Sequence, residues 1–68
     1  EVQELSNLLE EAVSLLPERC REIFAKSRYD LLSNKELAEN MNISEKTVEN
    51  QITIALKKIR KFLDEKYL

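Results

Sequence analysis

Glycine is absent from all 68 residues, and the only proline is Pro17. These two residues are the poorest helix formers, less favourable than alanine by about 1 and about 3 kcal/mol in a helix interior. A chain almost free of them, 43% hydrophobic and rich in Leu, Glu, Lys and Ala, suits helices. Its length fits one small domain. A domain of this size buries only about 60% of the surface that its unfolded chain exposes, so the core has to be compact. The expectation is an all-α domain over 1–68, with the 35% of charged residues on solvated helix faces.

Periodicity divides the chain into four expected helices. The first covers 2–15, where Leu5, Leu8, Leu9, Ala12, Leu15 and Leu16 recur at spacings of three and four, and Val2 and Val13 widen the stripe. Pro17 stops it and can open the second, over 17–29, because proline fits the first helical position. Glu18 sits in the first turn of this helix and Lys26 and Arg28 in its last, the order that the helix dipole favours. Cys20, Ile23, Phe24 and Ser27 mark one face. Ser33 and Glu36 form an S-x-x-E capping box, so the third helix covers 34–41. Ser44 caps the fourth, with Thr47 where a box would carry Glu. That helix runs over 45–66, with Val48, Ile52, Ala55, Ile59 and Phe62 on one face. No repeat, linker or low-complexity segment appears.

Missing residue types exclude several functions. Without His, Ser-His-Asp and Cys-His catalysis are gone, together with the commonest zinc ligand. A lone cysteine forms no internal disulfide and no zinc site, and Cys20 reads as a small buried apolar residue. No enzyme, metal or cofactor is expected. No apolar run approaches the roughly 20 residues of a membrane span, and no signal peptide is visible. A reducing, cytoplasmic setting fits. The chain begins without Met, which suggests a piece of a longer protein. The net charge of −2 argues against indiscriminate nucleic-acid binding. The charge is nonetheless polarised. Residues 1–40 carry nine acids and five bases, and residues 41–68 carry four acids and six bases.

The stretch "NKELAENMNISEKTVENQITIALKKIRK" (34–61) meets the demands of a helix-turn-helix. Ala38 is small where the second helix must cross. Leu37 and Met41 are apolar around it, Asn42 tolerates a left-handed turn, Ile43 is an apolar plug, and Val48 and Ile52 point inward one turn apart. Asn can replace Gly at such a turn because its short amide bonds locally. On the outward face of the last helix stand Lys46, Asn50, Thr53 and Lys57, flanked by Thr47, Ile54, Lys61, Glu49 and Arg60. These types suit a major groove: Asn pairs with adenine, Glu accepts from cytosine, Lys reaches guanine or phosphate, and Thr meets phosphate or a thymine methyl. Ser44 and the helix N-terminus can help hold a phosphate. The bland alternative is a solvated face of a helical bundle, and "KKIRK" (57–61) alone is equally a solvated, dipole-paired helix end. Ile54 fits a thymine methyl or a protein surface, and a single exposed apolar residue is ordinary.

"LPERCREIF" followed by "LSNKELAENMNISEKTVENQITIALKKIRKFL" closely resembles region four of bacterial extracytoplasmic-function (ECF) sigma factors, from about Leu5 to Leu63. The most specific parts are Leu16-Pro17-Glu18, Leu32-Ser33-x-x-Glu36-Leu37-Ala38 and Ile43-Ser44-x-x-Thr47-Val48. The resemblance implies four helices whose helix-turn-helix reads the promoter −35 element. It also implies that the earlier helices, with part of the last, dock on the β flap of RNA polymerase core. A separate region two would melt the −10 element, and anti-sigma factors would occupy the same surfaces. By position, Glu49, Asn50, Thr53 and Ile54 would read bases, with Lys46, Thr47 and Lys57 on the backbone. The implied setting is the bacterial cytoplasm, at the nucleoid. Some members carry arginines where Glu49 and Ile54 stand, so promoter preference does not transfer, and Asn42 replaces a frequent Gly. LuxR-type response-regulator effector domains share a "KTVENH"-like helix and form a second reading, as dimers on palindromic DNA. The helix opened by Leu16-Pro17-Glu18 and the helix before it favour the sigma reading. A third reading is a protein-binding helical module, which the broad stripe over 2–16 and Ile54 would serve.

Overall fold

The computed structural model describes residues 2–67, with side chains described over 6–66. Four helices follow in order: α1 (Val2–Ser14), α2 (Glu18–Arg28), α3 (Asn34–Met41) and α4 (Glu45–Tyr67), with no strand among the described residues. The expected inward positions Val2 and Leu5 lie outside the residues whose side chains are described.

Bounds shift where the chain turns. α3 matches its expected span, while α4 runs one residue past its expected end, to Tyr67. α1 ends at Ser14, one residue short of its expected end. Leu15 N–H bonds Ala12 O at 3.2 Å and Leu16 N–H bonds Val13 O at 3.1 Å, bonds to the third residue back that tighten the exit. This turn overturns one expectation. Leu15 is 65% exposed, whereas Val13 and Leu16 are buried. A 3.6-residue pattern places Leu15 correctly only if the helix continues, and it does not. Arg21 Nη1 also donates to Ser14 O at 3.4 Å, so α2 supplies the cation that the last turn of α1 lacks.

Pro17 is a second correction. Its φ of −54° would suit a helix, but its ψ of 149° is extended, so it is the N-cap of α2 and not its first residue. α2 thus covers 18–28, inside the expected 17–29. Beyond it, Leu31 adopts φ 58°, a left-handed conformation, while 82% exposed. Leu32 N–H reaches back to Lys26 O at 3.4 Å.

The interior has two apolar clusters. Ala12, Val13 and Leu16 of the α1 side meet Cys20, Phe24, Ala55 and Ile59. Ile23, Leu37, Ala38 and Val48 form the other, edged by Leu32, Met41, Ile43 and Ile52. α2 and α4 contribute to both, and α4 packs against each of the other three helices. At about 1.5 Å per residue, α4 spans nearly the full 37 Å length of the molecule. Its inward stripe of Val48, Ala55 and Ile59 is almost wholly buried, which fixes which face is left for other work.

Candidate nucleic-acid interface

The turn between α3 and α4 is built from backbone bonds. Asn42 lies in the left-handed region at φ 58° and ψ 47°, with its N–H on Ala38 O. Ile43 N–H also reaches Ala38 O, at 3.0 Å, the bond that closes a Schellman motif. Ile43 then packs against the apolar cluster that contains Leu37 and Ala38. Ala38 is 7% exposed, which agrees with the small residue required at the crossing.

Both helices of the pair are capped by serine. Glu36 N–H donates to Ser33 Oγ at 3.1 Å, and Ser33 N–H donates to Glu36 Oε1 at 2.8 Å. The backbone bond first, and the Ser33 side chain second, hold the Glu36 carboxyl below the ordinary glutamate range. At α4, Thr47 N–H donates to Ser44 Oγ at 3.0 Å, and the two hydroxyls share a hydrogen bond of 2.9 Å. Lys26 Nζ donates to Asn40 Oδ1 at 3.1 Å, which ties the end of α2 to α3. No periodicity argument could have found that link.

All eight candidate residues, Ser44, Lys46, Thr47, Glu49, Asn50, Thr53, Ile54 and Lys57, are exposed, and so are Arg60 and Lys61. Apart from Ser44, which caps α4 from just before its start, they lie on the side of α4 turned away from the buried Val48, Ala55 and Ile59. The helix therefore carries a polar strip that no packing inside the domain uses. Ile54, at 40% exposure, is its apolar member. A depression open to solvent lies where α3 and the turn meet the start of α4, lined by Lys35, Ala38, Glu39, Asn42, Ile43 and Glu45. Sequence periodicity missed Leu56, which is 53% exposed next to the inward stripe of α4.

Cys20 is buried, and its Sγ donates to Gln51 O at 3.4 Å. Burial pushes its thiol pKa up, and the charge of Lys58 opposes this. Such a thiol is a packing residue, since a reactive one needs a lowered pKa and access. Among the described residues no group of three or more His, Cys, Asp or Glu is placed to hold a metal ion, and no helix is long and apolar enough to cross a membrane.

A family model described as "Sigma-70, region 4" matches residues 6–59, which takes in most of α1, all of α2 and α3, and α4 as far as Ile59. No curated protein and no solved structure gives a match.

Proposed function

Because the chain belongs to the sigma-70 region 4 family, a non-catalytic DNA-binding domain that serves promoter −35 recognition with RNA polymerase core, we propose that it is the −35 reader of an ECF-type sigma factor. The observation that carries this reading is the exposed polar strip of α4, set on a left-handed turn at Asn42 and capped by Ser44. α4 enters the major groove by its N-terminal half. Glu49, Asn50, Thr53 and Ile54 meet base edges, while Ser44, Lys46, Thr47 and Lys57 meet the backbone. The β flap of the polymerase docks on the earlier helices and part of α4, an anti-sigma factor competes for the same surfaces, and the protein acts at the bacterial nucleoid.

An acidic domain that binds DNA weakly by itself is consistent with this role. Tethering through the polymerase raises its effective concentration at the promoter and supplies avidity. Selection of initiation sites from a randomised −35 library, with core polymerase and the protein, tests the reading. Asn50→Ala should weaken the selected sequence by about 1–3 kcal/mol and leave unrelated sequences unchanged. An equal loss on every sequence would remove Asn50 from base readout. Sequence preference in a dimer on palindromic DNA, without polymerase, would favour a response-regulator domain instead.

A further inference from the structure

We propose that Arg60 and Lys61 hold phosphates of the DNA strand opposite the one met by the N-terminus of α4, and that the domain's sequence-independent attraction to DNA comes from this end of the helix. The inference rests on the −35 reading and assigns a role to residues that reading leaves idle.

Charge along α4 makes the first argument. The base-reading half has two acids, Glu45 and Glu49, against one base, Lys46. By charge alone it repels a phosphate backbone, and only the helix dipole, worth roughly half a positive charge at the N-terminus, offsets this locally. From Asn50 to Leu63 there is no acid, and four bases stand at Lys57, Lys58, Arg60 and Lys61. Whatever attraction α4 exerts at longer range originates there.

Direction makes the second. At about 100° per residue, Lys61 lies about 20° from Asn50, and Arg60 about 20° from Thr53. Both continue the strip assigned to the groove, and both are exposed. Lys58 stands at the edge of the strip, about 20° from Thr47 on one side and about 20° from Gln51 on the other. The Gln51 carbonyl is engaged by Cys20 of α2, so this is the edge nearest α2.

Reach makes the third. Thr47 and Lys61 are about 21 Å apart along the axis at 1.5 Å per residue. Helical side chains lean toward the N-terminus, and the longer ones reach further, so the Arg60 and Lys61 heads come closer to the Thr47 end than their Cα atoms do. A major groove is about 12 Å wide. With one backbone at Ser44 and Thr47, the other falls within reach of these two long side chains.

The test is salt-dependent binding of the 68-residue chain to a duplex carrying the selected −35 sequence and to an unrelated duplex. Variants are R60Q, K61Q, K61R, K58Q and N50A. Each lost phosphate contact should flatten the plot of log affinity against log salt by about 0.9. R60Q and K61Q are expected to do so on both duplexes, K61R to keep the parent slope, and K58Q, at the edge of the strip, to flatten it less than K61Q. Unchanged slopes for R60Q and K61Q, while N50A still loses the sequence preference, would overturn the strip and leave the −35 reading standing. So would a K58Q slope as flat as that of K61Q, which would mean diffuse charge. If neither duplex is preferred and N50A changes nothing, the −35 reading falls and the strip with it. Parent slopes in R60Q and K61Q together with weakened polymerase binding would assign these residues to an acidic protein surface, again overturning the proposal.

Discussion

Among the described residues two adopt positive φ, Leu31 and Asn42, both at 58°. For most L-residues this conformation costs roughly 1–2 kcal/mol, and Asn is among the few that visit it routinely. Asn42 was therefore legible: an amide residue after a short capped helix, followed by an apolar plug, is what a left-handed closure needs. Leu31 was not, because nothing in leucine's chemistry asks for that conformation, and here tertiary connection overrides local preference. Leu31→Asn should remove the cost without exposing new apolar surface, since Leu31 is already 82% exposed. A gain of about 1 kcal/mol corresponds to a melting temperature about 4–8 °C higher in a domain of this size. A lower melting temperature would show that the Leu31 side chain packs against something in solution. At Asn42, Val should lower stability by about 1–2 kcal/mol, and Gly should be neutral or better. Equal melting temperatures for Val and Asn would contradict the left-handed turn.

Elements were readable where a cap or a full period marked them, and unreadable where an end depended on packing. α3 was bounded by Ser33 on one side and Asn42 on the other, and its span is as expected. α1 ends one residue before its expected exit, and this alone turns Leu15 outward. The two capping serines lead to two predictions. Ser33→Ala should cost about 1 kcal/mol, read from urea denaturation at neutral pH. The Glu36 pKa is lowered in the fold, so its contribution is present above the ordinary glutamate range and is lost as the pH falls through the lowered value. Ser33→Ala removes a bond that causes the shift, so the gap in melting temperature between parent and variant should shrink on acidification. A constant gap down to low pH would break the link between the box and the titration. At α4, Thr47→Glu would complete the second capping box and add a favourable charge at a helix N-terminus. It would also set a carboxylate where a phosphate is proposed to lie. The variant should melt higher than the parent and bind every DNA sequence less tightly. Higher stability with undiminished binding would move the backbone away from Thr47.

At the scale of the molecule, α2 and α4 run through both apolar clusters, so the domain is one body with a single reading side. The exposed Glu11, Glu18 and Glu22 stand on α1 and α2, while Lys57, Lys58, Arg60 and Lys61 stand together on α4. The candidate DNA residues were legible because they are the polar remainder of a helix whose apolar stripe is unambiguous. The distances that separate the two charge groups were not, since they depend on how thickly the helices stack. The body measures 19 × 16 Å across its long axis. The Debye length is about 8 Å at 0.15 M salt and about 30 Å at 0.01 M. The net charge of −2 is therefore felt by DNA only in dilute salt. Replacing Glu11, Glu18 and Glu22 together by Gln should strengthen binding to all sequences at 0.01 M salt. At 0.15 M the affinity should match that of the parent, and the preference for the selected −35 sequence should be unchanged at both. Titration of both duplexes by fluorescence anisotropy at the two salt concentrations reads all three expectations. Strengthening that persists at 0.15 M would mean that these acids lie within about 8 Å of the DNA backbone, and that the DNA runs along α1 and α2 instead of across α4.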